Sequence, residues 1–326
     1  MSSGRVLALA RHEYRAAWRS RILLTLVAIL AATTFVSVLT AALDYRGQLA
    51  DYQAYVQAAT ADGVTRIPPS PLALLSLLRG AMEYVEILGA VIALALGYLT
   101  ISRERANGTL PLLRSRPVTP GEQAAGSALG ALAVLSTLVA STAVVAVLCL
   151  GVIGRDWPSS GQGVQLLLAY LAAVVYMGVF YALGVVATAR SRVATTGLMV
   201  ALGVWLLVVL IIPQIGDTLD ADNQVPGGLF AALGLDRNGE TAVLAHFSGY
   251  EHVRNWIEEA SVSKHFERFA FAMTDVKDKY RGFTLGQLLT EKRNDIGWLA
   301  FYATALGTAL WRSFRRVPPT PQGGTA

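Results

Sequence analysis

Apolar residues dominate long runs of this chain, and shorter polar segments separate these runs from one another. A transmembrane helix needs about 20 consecutive, mainly apolar residues. Six runs approach or exceed that length, so the sequence predicts an all-α membrane protein with six transmembrane helices. The predicted spans are residues 22–43, 72–101, 124–153, 164–187, 195–215 and 296–314.

Residues 1–21 are predicted to form an amphipathic elbow helix at the membrane surface. Apolar and aromatic side chains recur at helical spacing up to Trp18, while arginines four residues apart occupy another face. These arginines are Arg11, Arg15 and Arg19. Residues 22–43 are longer than the roughly 7–15 residues of a signal-peptide core, so we expect them to remain as the first span.

Two polar regions are predicted to be extracytoplasmic excursions. The first, residues 44–71, ends in a proline-rich segment, and we expect a helix over residues 49–59. The second, residues 216–295, carries both signs of charge and is expected to be exposed to water, with one helix from about residue 250 to residue 273. A Pro- and Gly-rich cytoplasmic tail, residues 315–326, follows the last span.

The arginines predict the orientation in the membrane. They cluster in residues 1–21, 102–121, 190–192 and 312–316, and short basic loops stay on the cytoplasmic side. Both termini are therefore expected in the cytoplasm of a multi-pass protein of the inner (cytoplasmic) membrane. Residues 102–121, here called the central loop, combine leucines with flanking charges, a pattern typical of a surface that docks into a groove on another protein.

Composition supports the membrane assignment. Hydrophobic residues make up 54% of the chain and charged residues only 15%, whereas a soluble domain carries about a quarter charged residues. The net charge of +5 does not indicate nucleic-acid binding, because the basic residues border apolar runs instead of forming a patch with interleaved aromatics. Cys149 is the only cysteine, so neither an intrachain disulfide nor a thiolate metal cage is expected.

Three charged residues fall within the second predicted span. Arg79, Glu83 and Glu86 share one face of an ideal helix. The favoured interpretation is an ion-paired face at the outer membrane interface, because residues 85–101 can nearly span the bilayer alone. The alternative is that these charges line a path for a substrate, since ionisable groups at membrane depth are costly and usually face protein or a cavity.

Catalytic motifs are missing from the sequence. No GxxxxGK[ST] loop is present to bind ATP, and neither HExxH nor GxSxG occurs, so we expect no enzymatic activity, no cofactor and no metal in this chain. Three of the four histidines, His246, His252 and His265, lie in the second excursion, which raises the idea of metal delivery. Their spacing favours ordinary solvated or hydrogen-bonded histidines.

The central loop resembles the loop between the second and third spans of ABC-2 type permeases, especially the branch with nitrous-oxide-reductase maturation and gliding-type permeases. The similar residues are Glu104-Arg105, Gly108-Thr109-Leu110, Leu112-Leu113, Ser115, Pro117-Val118 and Gly121-Glu122. Residues 11–21, which include Glu13 and Trp18, look like the elbow helix of that family, and residues 263–269 look like the segment before its final span. The chain departs from the family where Ser127, not lysine, follows Gly126.

The resemblance implies a membrane subunit that pairs with itself or a homologue and with two separate nucleotide-binding subunits, which bind ATP and Mg²⁺. In that family the central loop contacts the ATPase. The implied contact residues are Arg103, Glu104, Arg105, Gly108, Thr109, Leu110 and Arg114. A second, weaker contact is implied at Arg190 and Arg192.

The implied function is export or translocation of an amphipathic or lipid-like substrate, driven by the partner ATPase. Two other classes remain open from the sequence. One is an ATP-independent, ion-coupled carrier that uses the charges of the second span. The other is a membrane-anchored binding protein whose extracytoplasmic regions hold the ligand.

Overall fold

A computed structural model describes residues 2–62, 73–106, 119–219, 229–235, 239, 242–243, 245, 248–280 and 282–316. These residues form helices and turns, with no strand among them. The predicted all-α class is confirmed. Five helical stretches are long and apolar enough to cross a membrane: Arg21–Ala61, Leu74–Ala106, Pro120–Ile153, Ser160–Arg190 and Ala194–Gly216.

The helices are numbered in chain order. They are α1 (Ser3–Ala17), α2 (Arg21–Ala61), α3 (Arg79–Tyr84), α4 (Ala90–Ala106), α5 (Pro120–Leu148), α6 (Ser160–Arg190), α7 (Ala194–Trp205), α8 (Ile212–Leu219), α9 (Leu229–Ala232), α10 (Ser248–Glu259), α11 (Val262–Met273), α12 (Leu285–Glu291) and α13 (Arg293–Arg316). Short 3₁₀ helices cover Leu74–Leu78 and Asp278–Tyr280, and π-helical turns cover Val85–Gly89, Cys149–Ile153 and Leu206–Ile211.

The five stretches correspond to the first five predicted spans. The sixth predicted span falls on α13, a continuous helix of 24 residues. At 1.5 Å per residue this helix is about 36 Å long, which is enough to cross a bilayer. Its composition is less apolar than that of the other five, so the sixth crossing stays a prediction.

The first excursion differs from its sequence-based description. Helix α2 has 41 residues and continues to Ala61, so residues 44–61 are helical and not a loop. The helix expected over residues 49–59 is confirmed as part of α2. Gly47 is the only helix-weakening residue in the extension, and the chain has no proline there to stop the helix. Residues 63–72 lie outside the described part of the chain.

The second excursion also differs. The single helix predicted from residue 250 to residue 273 is wrong, because the chain breaks into α10 and α11 at Ser261. The Ser261 hydroxyl accepts a hydrogen bond from the amide of Lys264 and donates one to the carbonyl of Val208 (2.7 Å), so it caps α11 and ties it to the fifth span. Most of α11 is buried within the bundle and is not exposed to water as expected.

Helix α6 lies at the centre of the bundle and contacts α4, α5, α7, α11 and α13. Its contact with α4 depends on two glycines, Gly97 and Gly184. A Cβ atom on either residue would overlap backbone atoms of the other helix, so only glycine allows this close approach. Further along α6, Tyr176 stacks on Phe266 of α11 with 4.6 Å between the ring centroids, which fixes α11 against the central helix.

Candidate functional site

Helix α1 packs lengthwise against the start of α5. The amide of Ser2 donates a hydrogen bond to Glu122 Oε1 (2.7 Å), and further along the hydroxyls of Tyr14 and Thr137 lie 3.4 Å apart. Between these points α1 covers Gly126 and Gly130, where a Cβ atom would meet α1 side chains and backbone. Gly126 and Gly130 have the GxxxG spacing that lets helix backbones approach closely, and here this spacing serves the contact with α1. The position of α1 at the membrane surface stays a prediction.

Glu122 stabilises the end of the central loop. Its Oε2 accepts a hydrogen bond from the amide of Thr119 (2.9 Å), and the Thr119 hydroxyl accepts one from the amide of Glu122 (3.2 Å). This reciprocal pair is a capping box at the start of α5. Arg5 of α1 lies 4.0 Å from the same carboxylate. Sequence reasoning missed this role, although Thr119-Pro120-Gly121-Glu122 carries the capping-box spacing.

The described ends of the central loop lie side by side. Arg103, Glu104 and Arg105 form the last turn of α4. The carboxylate of Glu104 accepts hydrogen bonds from Gln123 Nε2 at 2.9 and 3.1 Å, which joins the end of α4 to the first turn of α5. Four predicted contact residues lie outside the described residues: Gly108, Thr109, Leu110 and Arg114.

Arg105 connects the central loop to the second predicted contact. Its Nη1 donates to the carbonyl of Ser191 (2.9 Å) and its Nη2 to the carbonyl of Ala189 (3.0 Å). These carbonyls belong to the C-terminal end of α6, where a cation both satisfies unpaired acceptors and complements the helix dipole. Arg190 and Arg192 project beside this contact and are exposed. The structure therefore brings the two predicted segments into one surface.

Glu13 and Trp18 of the elbow helix have different surroundings. Burial against α5 raises the pKa of Glu13 to about 7, although the positive charge of Arg103 acts in the opposite direction. Trp18 packs edge-on against Tyr14, and its buried Nε1 has no hydrogen bond to a described residue. Glu13 is thus a titratable group of α1 that interacts with the charged residues at the end of α4.

The three charges of the second span separate in the structure. Arg79 Nε and Glu83 Oε1 form an exposed ion pair at 2.8 Å, as the favoured interpretation expects. Glu86 instead lies in the π-helical turn and is only 8% exposed. Its carboxyl group faces Ser263, Lys264 and Glu267 of α11, so it belongs to a buried polar contact and not to the surface pair.

A second buried polar cluster surrounds His265 on α11. Its Nδ1 lies 2.9 Å from Asp295 Oδ1, and its Nε2 lies 3.0 Å from the carbonyl of Glu259. Lys292 Nζ lies 3.4 Å from the other oxygen of Asp295. Burial raises the pKa of Asp295, but its hydrogen bond with His265 and the charge of Lys292 more than offset that effect and lower it.

The sequence favoured solvated or hydrogen-bonded histidines, and His265 is hydrogen-bonded, although its burial was not expected. Both ring nitrogens already have oxygen partners within the chain. No group of three or more His, Cys, Asp or Glu residues is placed to hold a metal ion in the part of the chain that the structure describes. His246 lies outside that part.

The fold and the contact between the central loop and residues 189–191 define a class of protein. It is a multi-pass α-helical membrane protein with a polar surface at one end of its central helices. Residues 7–302 match the sequence model of a family described as ABC-2 family transporter protein. The chain belongs to the ABC-2 transporter family, which supports the assignment as a permease subunit and implies an ABC ATPase partner. A search of curated proteins finds no significant match.

Proposed function

We propose that this chain is the membrane subunit of an ABC exporter in which separate ATPase subunits drive the transport step. The observation that carries this proposal is the contact of Arg105 with the carbonyls of Ala189 and Ser191. This contact joins the central loop and residues 190–192 into one surface, here called the docking surface. Family membership supplies the expected class of partner.

The helices behind the docking surface can carry a displacement into the bundle. Helix α4 ends at the central loop, α6 ends at residue 190, and α5 begins where the loop ends. The close packing of Gly97 on Gly184 makes α4 and α6 move as one body, because their backbones are in direct contact. A push on the docking surface would therefore shift three helices together, in the manner of a rigid-body switch.

The proposed functional unit contains two permease subunits. In the apolar 18-residue segments of α2 and of residues 194–216, only 22% and 17% of the residues are buried within the chain. The corresponding share for α6 is 56%. Most of their surface is therefore left for lipid or for a second permease. A substrate that passes between two such apolar faces would be amphipathic or lipid-like, and the direction is export.

A second candidate function is ion-coupled transport without ATP, and the burial of Glu86 against Lys264 and Glu267 favours it. Buried ionisable groups at membrane depth often mark ion pathways. Proteoliposomes containing the chain alone provide the test. Proton uptake that dissipates an imposed pH gradient without nucleotide, and that Glu86→Gln abolishes, would support the carrier; no flux would reject it.

Co-purification tests the main proposal. The full-length chain, expressed in its own host with a mild detergent extraction, should retain a protein of the ABC ATPase class. Arg105→Ala should lower that recovery strongly, because it releases the central loop from α6. Arg192→Glu should do the same without disturbing an internal contact, since Arg192 is exposed and forms no ion pair with a described residue.

The matched control is Arg79→Ala, which removes an exposed arginine from the predicted opposite side of the membrane. This variant should retain the ATPase at the level of the unmodified chain. The proposal is wrong if no ATPase accompanies the unmodified chain, or if Arg105→Ala and Arg192→Glu both retain it in full.

A further inference from the structure

A groove with a volume of about 1300 Å³ runs along α1 and is closed by residues of α4 and α5. Its lining combines basic and apolar side chains. The basic side chains are Arg11, Arg15 and Arg19 of α1 and Arg103 at the end of α4. The apolar side chains include Leu7 of α1 and Leu129 and Ala133 of α5. Neither the family assignment nor the docking surface accounts for this groove.

The arginines of the groove are available to an external anion. Arg11, Arg15 and Arg19 are exposed and form no ion pair with a described residue. Arg103 Nε donates to the carbonyl of Leu99 (3.1 Å), but its Nη2 is buried and has no hydrogen bond to a described residue. Among the described residues that line the groove none is acidic, and the neighbouring Glu13 interacts with Arg103 through charge. The four arginines therefore leave the groove positive.

The apolar side chains of the groove are also left uncovered by the rest of the described chain. Leu7 is 70% exposed and Leu129 is 50% exposed, although both lie beside a groove lined by charge. A ligand that covers only the arginines would leave these leucines in water. A ligand with an anionic head and an apolar body would suit the groove, because its head would contact the arginines and its body would cover the leucines.

The length of α5 leaves room for the groove outside the hydrocarbon core of a bilayer. The helical stretch Pro120–Ile153 has 34 residues and is about 51 Å long, whereas the hydrocarbon core is about 30 Å thick. Several turns of α5 can therefore lie outside the core. Helix α1 packs beside its first turns, between the contacts at Glu122 and Thr137, so the row of arginines can stand at the level of the lipid headgroups.

We propose that this groove binds one anionic phospholipid, with its phosphate between the arginine row of α1 and Arg103 and its acyl chains along Leu129 and Ala133. Guanidinium groups suit phosphate because they offer several donors in a planar fork. Basic pockets beside transmembrane helices on the cytoplasmic side bind such headgroups in the same way. The lipid joins the elbow helix to the last turn of α4, where the central loop begins.

Native mass spectrometry of the full-length chain tests this site. The chain is purified in a neutral detergent and supplied with equal amounts of phosphatidylglycerol and phosphatidylcholine. The unmodified chain should retain phosphatidylglycerol in preference. The triple change Arg11→Gln, Arg15→Gln and Arg19→Gln should weaken that retention about tenfold or more, since each basic residue near a lipid surface adds substantially to the attraction.

A matched triple variant controls for net charge: Arg46→Gln, Arg155→Gln and Arg293→Gln. It also removes three positive charges, at exposed positions that do not line the groove, and should retain phosphatidylglycerol as the unmodified chain does. Ala133→Trp provides a second probe, because the larger side chain fills the apolar part of the groove. It should lower lipid retention while the arginines remain. Thermal melting in the same detergent confirms that each variant is folded.

Three outcomes would overturn the proposal. Equal retention of the two lipids would show that the site does not select an anionic headgroup. Equal loss in both triple variants would show a general effect of charge. Displacement of the lipid by soluble glycerol 3-phosphate at equal concentration would show an anion site without a lipid component.

Discussion

Replacement of Glu13 by glutamine tests how tightly the elbow helix is packed on the third span. Glu13 lies opposite Gly130, where a Cβ atom on the glycine would stand 2.6 Å from the Cβ of Glu13. This contact removes the carboxyl group from water, and its pKa rises from 4.5 to about 7 as a result. Glutamine has the same shape as the neutral carboxyl group but cannot ionise.

The raised pKa makes stability depend on pH in a defined direction. The folded chain holds the Glu13 proton more tightly than the unfolded chain, so folding is favoured at low pH and loses that advantage as the pH rises from 4.5 to about 7. The difference corresponds to about 3 kcal/mol, at about 1.36 kcal/mol for each pKa unit. Above pH 7 the unmodified chain pays the cost of a buried carboxylate, whereas Glu13→Gln does not.

Thermal melting in detergent between pH 5 and pH 8.5 measures this effect. Glu13→Gln should melt about 5 °C or more above the unmodified chain at pH 8.5, and the two curves should converge near pH 5. Glu83→Gln, which removes an exposed carboxylate, should keep the pH dependence of the unmodified chain. Parallel curves for Glu13→Gln and the unmodified chain across the whole pH range would show that the Glu13 carboxyl group does not have a raised pKa.

Three further substitutions test the interior of the bundle by the same melting assay. Gly184→Ala should destabilise the chain by about 2 kcal/mol because the new methyl group overlaps the α4 backbone, whereas Gly203→Ala, with no atom within 4 Å, should be neutral; equal effects would contradict the close crossing. Tyr176→Phe should cost about 1 kcal/mol, since it removes a buried 2.8 Å hydrogen bond to a backbone carbonyl, and no loss would contradict that bond. Asp295→Asn should cost about 2 kcal/mol because the buried partner of His265 loses its charge, and an unchanged melt would show that the pair is not formed.

Apolar runs were enough to predict the all-α class and the first five spans, because the bilayer demands an unbroken length of apolar helix. The length of the apolar runs was a poor guide to where the helices end. Helix α2 continues through residues 44–61, where charged residues can follow a helix into water without breaking it. Polarity alone cannot distinguish a loop from an exposed helix.

The candidate site could be predicted only in part. Loop position and charge predicted residues 102–121 and 190–192 to be separate cytoplasmic loops, and the family resemblance implied Arg105 as a contact residue. Neither predicted the contact of Arg105 with the end of α6, which depends on how α4 packs against α6. Residues 262–273 looked water-exposed because of Lys264, His265 and Glu267. They are largely buried because Lys264 and Glu267 form an ion pair within α11 (3.0 Å) and His265 pairs with Asp295 of α13, and the burial of such pairs cannot be deduced from one sequence.

Photo-crosslinking at Arg192 tests whether the docking surface contacts an ABC ATPase. Benzoylphenylalanine is substituted for Arg192 in one full-length chain and for Glu83, on the predicted opposite side of the membrane, in another. Both chains are irradiated in native membranes. We expect a covalent adduct with an ABC ATPase at position 192 and no such adduct at position 83. An ATPase adduct at position 83, or none at position 192 while the chain still co-purifies with its ATPase, would contradict it.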